Sequence, residues 1–257
     1  MQAIRAVAKN YSEASENKIH SDDIARRFGF RGALVPGVAV WGQLTRPLVT
    51  EFGERWLGCS VSDVRFLKPA YDGDTLTIEP AEDASGLHVR CSNQHGELLA
   101  ELNSRIPEVL PELEDQGCFD GPHKDPARIE MSWETVVPGQ PFRPWHCQIT
   151  DDGNQTFASQ VDDPQAVYRF AAHPHWLLGL ANQALVREFV MPAWIHVGSE
   201  VRLRRVVRVG DTLEIRAVPL EKWERKGHQF VRLYLAYLNG HELTTEILHT
   251  AIFRVAG

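Results

Sequence analysis

The chain lacks any run of about 18 apolar residues, so no membrane-spanning helix is expected. Its first residues, Met1-Gln2-Ala3-Ile4-Arg5, have no apolar stretch of the signal-peptide kind, and a cytoplasmic location is expected. Cysteine is scarce: Cys59, Cys91, Cys118 and Cys147 are scattered and form no Cys-x-x-Cys pair. That excludes a disulfide framework and leaves reduced thiols as the expectation. Positive charge is also short, with 27 Lys and Arg against 34 Asp and Glu and a net charge of −7. A nucleic-acid partner is therefore not expected, because phosphate binding calls for a basic face. No Walker A loop, G-x-G-x-x-G, G-x-S-x-G elbow or H-E-x-x-H occurs. His173-Pro174-His175 is the only close histidine pair, and no carboxylate sits at a familiar ligand spacing. Neither a metal nor a cofactor is expected.

What the chain has is an internal duplication. With 257 residues, 43% of them hydrophobic, it has material for one to two domains with a real core. Ser62-Asp63-Val64-Arg65-Phe66 through Gly73-Asp74-Thr75-Leu76-Thr77-Ile78 is matched 137 residues later by Ser199-Glu200-Val201-Arg202-Leu203 through Gly210-Asp211-Thr212-Leu213-Glu214-Ile215. Each copy reads strand, polar Gly-Asp turn, strand. The same spacing pairs Gly42 with Gly179, Leu48 with Leu185 and Phe52 with Phe189 upstream, inside stretches of helical periodicity. Downstream, Glu97-Leu98 and Glu101 match Glu242-Leu243 and Glu246 at a spacing of 145, which assigns the extra residues to a longer charged turn at 221–226. Residues 106–130, with Pro107, Pro111, Pro122 and Pro126, read as a linker between repeats at 1–105 and 131–257. One helix wrapped by one sheet leaves an open face, and two such units cover each other.

The motifs of the first repeat resemble those of the MaoC-like, or hydratase-2 type, dehydratases. The family motif is Asp-x-Asn-Pro-(aliphatic)-His, then a small residue, a Gly-Phe and a loop ending His-Gly before the central helix. Here the run is Ser15-Glu16-Asn17-Lys18-Ile19-His20, then Ala25, Gly29-Phe30 and Val35-Pro36-Gly37, followed by Val64 to Pro69 and the Gly73-Asp74 turn. The resemblance covers most of residues 10–79 and implies an α+β double hot-dog fold. It implies hydration of a 2-enoyl thioester or dehydration of a 3-hydroxyacyl thioester, carried on CoA or a carrier protein. His20 then matches the catalytic His, Asn17 the loop-organising Asn, and Gly37 the backbone oxyanion donor. Ser15 stands where the family has its Asp.

Hydration needs a base for the attacking water and an acid for C2. His20 has the right ordinary pKa for a base, and a helix start at Gly37 supplies N–H groups and a dipole for a developing enolate. A serine hydroxyl at position 15 is too weak an acid. Moving 137 residues on from Ser15, Asn17 and His20 gives Asp152, Asn154 and Phe157, so the second copy keeps the Asp and loses the His. Asp152 is therefore a candidate catalytic residue beside His20, with Glu13, Glu16 and Asp22 as nearer substitutes. His173 and His196 are candidate substrate-binding residues, forming with Asp152 a second polar site lined by Tyr168, Trp176 and Asn182. Arg26, Arg27, Arg31, Arg65 and Lys68 are candidates for meeting CoA or a carrier protein. The rival readings are a hot-dog acyl-CoA thioesterase, which needs no acid for C2, and a non-catalytic acyl-thioester binder. A homodimer of the fused pair is a candidate assembly.

Overall fold

A computed structural model describes residues 1–112, 121–122 and 127–256. Cys118 and Pro126, with much of the proline-rich connection, lie outside the described residues. The first half runs β1 (Ile4–Val7), α1 (Asp22–Arg27), α2 (Gly37–Phe52), α3 (Glu54–Gly58), β2 (Ser60–Phe66), β3 (Thr75–Asp83), β4 (Gly86–Ser92) and β5 (Leu98–Arg105). A short β6 (Ile129–Glu130) follows. The second half runs β7 (Trp145–Gln148), α4 (Asp151–Gln160), α5 (Pro174–Glu188), β8 (Phe189–Val190), β9 (Ile195–Leu203), β10 (Thr212–Arg225), β11 (His228–Asn239) and β12 (Glu242–Arg254). This is the α+β architecture of two helix-in-sheet repeats that the duplication predicts.

Ten strands form one sheet in the order β1-β3-β4-β5-β2-β9-β12-β11-β10-β7. The order is palindromic about the antiparallel contact of β2 with β9. Asp63 faces Glu200 there, its own counterpart in the duplication, so the local twofold axis passes between them. Alternation sends Ser60, Ser62 and Val64 inward and Asp63 outward along β2. The sheet curls around α2 and α5. Leu44 and Leu48 of α2 and Ala181 and Leu185 of α5 are fully buried, as the periodicity predicts. The two helices meet at Gly42, where a Cβ would sit 3.1 Å from the Cβ of His175, and the Trp41 indole donates to Pro174 O at 3.0 Å. Among the described residues, no helix is long and apolar enough to cross a membrane.

Two expectations about the duplication change. The extra residues of the second half lengthen a hairpin instead of a loop. β10 and β11 span 14 and 12 residues against 9 and 7 in β3 and β4. Their turn is only Lys226-Gly227, with φ of 53° and 77°, the left-handed pair that a two-residue hairpin turn requires. The spacing of 137 also fails upstream of the helices. Ile4 pairs with Ile78 and Trp145 with Ile215. The partner positions are 137 apart, whereas Ile4 and Trp145 are 141 apart. Between first strand and helix the halves differ, with a 3-10 turn at Lys18–His20 followed by α1 in one, and α4 followed by a 3-10 turn at Ala166–Arg169 in the other.

Gly198 faces Arg65 across the seam, and a Cβ on it would lie 2.8 Å from Val64 O. Gly198→Val is expected to cost about 1–3 kcal/mol of stability through overpacking, read as a lowered urea midpoint. An unchanged midpoint would refute a close-packed seam.

Candidate functional site

The His20 loop is held from both halves. Asn17 caps the 3-10 turn, its Oδ1 accepting from the Ile19 N–H at 3.4 Å. The same amide crosses to the second half, where Oδ1 accepts from Trp194 N at 3.1 Å and Nδ2 donates to Trp194 O at 3.0 Å. Lys18 N adds a bond to Pro192 O at 2.8 Å, and Arg128 clamps Glu16 while donating to Phe189 O. Behind the loop, Ile19, Ala25 and Leu34 form a small apolar cluster that anchors α1.

This anchoring fixes the chemistry of His20. Its Nδ1 lies 2.7 Å from Leu34 O, and a carbonyl only accepts, so Nδ1 carries the proton. Nε2 is left with its lone pair, 3.4 Å from the Asn17 amide nitrogen. Burial pushes the imidazole pKa below the usual 6.5, and the bond to Leu34 O partly offsets the shift. The ring is therefore neutral at pH 7, with a free basic nitrogen.

His20, Asn17, Gly37 and His196 line one cavity of about 190 Å³, together with Val40, Phe66, Lys68, Asn182 and Trp194 among others. At the start of α2 the Ala39 and Val40 N–H groups donate to Pro36 O, so the N–H groups left for a ligand are those of Gly37 and Val38, and Gly37 lines this cavity. The glycine has a further reason. A Cβ there would approach the Phe66 ring to 3.2 Å, so Phe66 takes the room that a side chain would need. The Phe66 ring in turn meets His196 edge-on, with centroids 4.8 Å apart.

Among the described residues, no carboxylate lines the cavity. Ser15 folds back on its own turn, its hydroxyl 3.2 Å from Asn17 O. Glu16 is bound to Arg128, and Glu13 is exposed. Asp22 braces the loop ahead of α2, accepting from Ala33 N at 2.8 Å and from Arg26 at 2.9 Å. Four of the five basic candidates face carboxylates: Arg26 with Asp22, Arg31 with Asp74, Arg65 with Asp63, and Lys68 with Glu97. Lys68 alone among the five lines the cavity.

Asp152 and His173 stand elsewhere, and the second polar site expected from them and His196 does not form. Asp152 lies exposed in the first turn of α4. Thr150 caps that helix by accepting from Gly153 N, and Asp151 and Asp152 suit its dipole. The Asp-Gly-Asn run is thus a helix start, with Gly153 required because a Cβ would meet the Trp176 ring at 2.6 Å. His173 caps α5, its Nδ1 accepting from His175 N at 3.1 Å, and its Nε2 faces the buried Asp163 at 3.3 Å. Arg46 from the first half and Gln165 also face Asp163. Phe157 stacks on Trp176 with centroids 5.0 Å apart and meets His175 edge-on, while Tyr11 donates to His175 Nε2. The second helix corner is thus filled with rings. Among the described residues, no group of three or more His, Cys, Asp or Glu could hold a metal.

Asp163, Ser199 and His249 escaped the sequence reading as polar partners. Asp163 sits at no repeat position, and the last two meet only through strand pairing.

Asn17→Ala strips the partner from the buried Trp194 N–H and O and is expected to cost about 1–3 kcal/mol. Equal denaturant midpoints for this variant and the parent would contradict the bridge. Burial lowers the pKa of His20, His173 and His196, and that of His175 and His249 to about 3. Below about 6.5 the unfolded chain takes up protons that these rings refuse, so stability is full above that pH and falls below it. His175 and His249 are each expected to remove about 1.4 kcal/mol between pH 7.5 and 5.5. Urea midpoints at the two pH values check this.

No family model and no curated protein matches the sequence. Solved structures do match. One is assigned as a MaoC domain protein dehydratase from Chloroflexus aurantiacus J-10-fl, with a TM-score of 0.68 at 14% identity over 100% of this chain and 95% of that one. A Mycobacterium tuberculosis protein described as having a double hotdog fold gives 0.62 at 14% identity, over 98% and 95% of the two chains. An acyl-CoA thioesterase II of Mycobacterium marinum gives 0.53 at 12% identity, over 86% and 90%. At these identities the likeness is one of fold, and the chain has the double hot-dog fold.

Proposed function

We propose that the chain is an acyl-thioester hydratase/dehydratase, acting on 2-enoyl and 3-hydroxyacyl groups carried by CoA or a carrier protein, with His20 as its one base. The observation that carries this reading is the fixed tautomer of His20. Nδ1–H is committed to Leu34 O, and His20, whose unprotonated Nε2 is approached by the Asn17 amide at 3.4 Å, shares a cavity with Gly37 at the start of α2. Nε2 takes a proton from water as the water oxygen bonds to C3. The double-bond electrons move toward the thioester carbonyl, and the charge on its oxygen is met by the α2 amides. The imidazolium then gives the same proton to C2. One water is added, one base serves both steps, and the carboxylate absent at Ser15 is not needed. Asn17 positions the ring.

The lack of a carboxylate among the described residues of the cavity wall also favours a second reading, thioester hydrolysis. There the water attacks the carbonyl carbon and the thiolate leaves, so no carbon needs protonation. The same base and amides serve.

The test is turnover of a trans-2-enoyl-CoA panel with enzyme and His20→Ala, following double-bond loss and free CoA separately. Loss of the double bond without CoA release, reduced about 10²–10⁴-fold in the variant, is the expected result. CoA release alone would replace hydratase by thioesterase, and no turnover of either kind would leave binding. Because burial lowers the His20 pKa, the acidic limb of kcat/KM, where activity falls as His20 takes up a proton, should lie below pH 6.5. A limb above 6.5 would remove His20 from the role of base.

A further inference from the structure

On the outer face of the sheet, a groove that the proposed chemistry leaves unused adjoins the His20 cavity. It encloses about 420 Å³ over the seam and is lined by Arg65, Gly198, Trp223, Arg232 and Thr250 among others. Val197 lines both the groove and the cavity.

Strand register gives the groove its shape. Arg65, Gly198, Thr250 and Arg232 stand side by side on the adjacent strands β2, β9, β12 and β11. Alternation turns Arg232 outward, between the buried Val231 and Leu233. Two arginines therefore flank a floor of two small residues. Arg65 is anchored by its Nε, which donates to Asp63 at 3.1 Å, so the terminal nitrogens of its fork remain for a ligand. Arg232 donates to Glu200 and faces Glu221 at 3.6 Å, and its Nε is buried without a partner in the protein. Such a donor calls for an explanation, because buried polar atoms are nearly always hydrogen-bonded.

The aromatic side comes from the lengthened hairpin. Trp223 and Phe230 pair across β10 and β11, beyond the reach of the shorter first-half hairpin, and stack with centroids 5.1 Å apart and planes at 6°. Both rings are half-buried, so the pair presents a flat apolar face outside the core. Register places Ile195, Ile252, Phe230 and Trp223 in one row, which starts in the cavity wall. Three strand spacings separate Ile195 from Trp223, about 14 Å. A pantetheine arm has as many backbone bonds between sulfur and phosphate ester as four peptide residues, which span about 14 Å extended. A thioester sulfur in the cavity therefore leaves whatever follows the arm on the outer face.

We propose that this groove binds the adenosine phosphate half of coenzyme A, adenine lying against Trp223 and phosphate between Arg65 and Arg232 over Gly198 and Thr250. The acyl carrier is then CoA, since the arm of a carrier protein ends on a serine and brings no purine for the aromatic pair. This rests on the acyl-thioester reading above and adds to it a second subsite outside the cavity. Planar guanidinium forks suit phosphate, and a purine stacks on an indole without help from hydrogen bonds.

The experiment measures Kd by titration calorimetry for two non-cleavable ligands, the dethia analogues of hexanoyl-CoA and of hexanoyl-pantetheine. The CoA analogue should bind about tenfold or more tighter, because it adds one stacked base and one phosphate held by arginine. Trp223→Leu and Thr250→Glu should each shrink that ratio to about threefold or less. Thr250→Lys should raise it, a reversal with charge that a merely structural role would not produce. Equal binding of the two analogues, a ratio unmoved by Trp223→Leu, or the same response to Glu and Lys at position 250 overturns the nucleotide groove and leaves the acyl-thioester reading standing. Failure of both analogues to bind overturns both.

Discussion

Six antiparallel residue pairs, Ser60–Arg65 against Gly198–Leu203, turn two five-stranded sheets into one, and the rest of the molecule depends on that seam. A five-stranded sheet around a single helix would leave β2 or β9 as an open edge, with a row of unpaired backbone groups. Joining the edges removes both. It also sets α2 against α5 and puts Trp194 and His196, which lead into and begin β9, beside the end of β2 at Phe66. The cavity exists because two strand ends and one helix start converge there. Neither half contains it alone.

The seam also explains why Asn17 matters more than its role as a cap. Its side chain takes both hydrogen-bonding groups of Trp194 while pointing an amide N–H at His20. One residue therefore couples the contact between halves to the orientation of the base. The local twofold does not extend to this function. Where the first half has a loop carrying His20, the second has a capped helix and a stack of Phe157, Trp176 and His175.

Much of this was legible in the chain. The helices, the Gly-Asp turns and the strands that follow them kept one spacing because they build the shared core, where volume and alternation leave little freedom. His20 and Gly37 were reached through the resemblance of their motifs to those of the MaoC-like dehydratases, and the structure brings both to one cavity. Asp152 was misplaced for the opposite reason. It was located by spacing alone, in the stretch between first strand and helix, where the halves adopt different structures and spacing carries no information. Thr150 before two acids was the local signal for a helix start there. His249 could not be reached from local pattern at all, since only strand register brings it to Ser199.

The ring stack in the second corner has a consequence for descent. Two identical halves would each carry the same loop and the same corner. Here Trp176 fills the space beside Gly153, and Phe157 and His175 pack against it, while the first corner relies on Trp194 to hold its loop. Each half has become a specialist. Separating the halves would leave the His20 loop without the Asn182–Val197 side of its cavity, so the site depends on the two halves being held together.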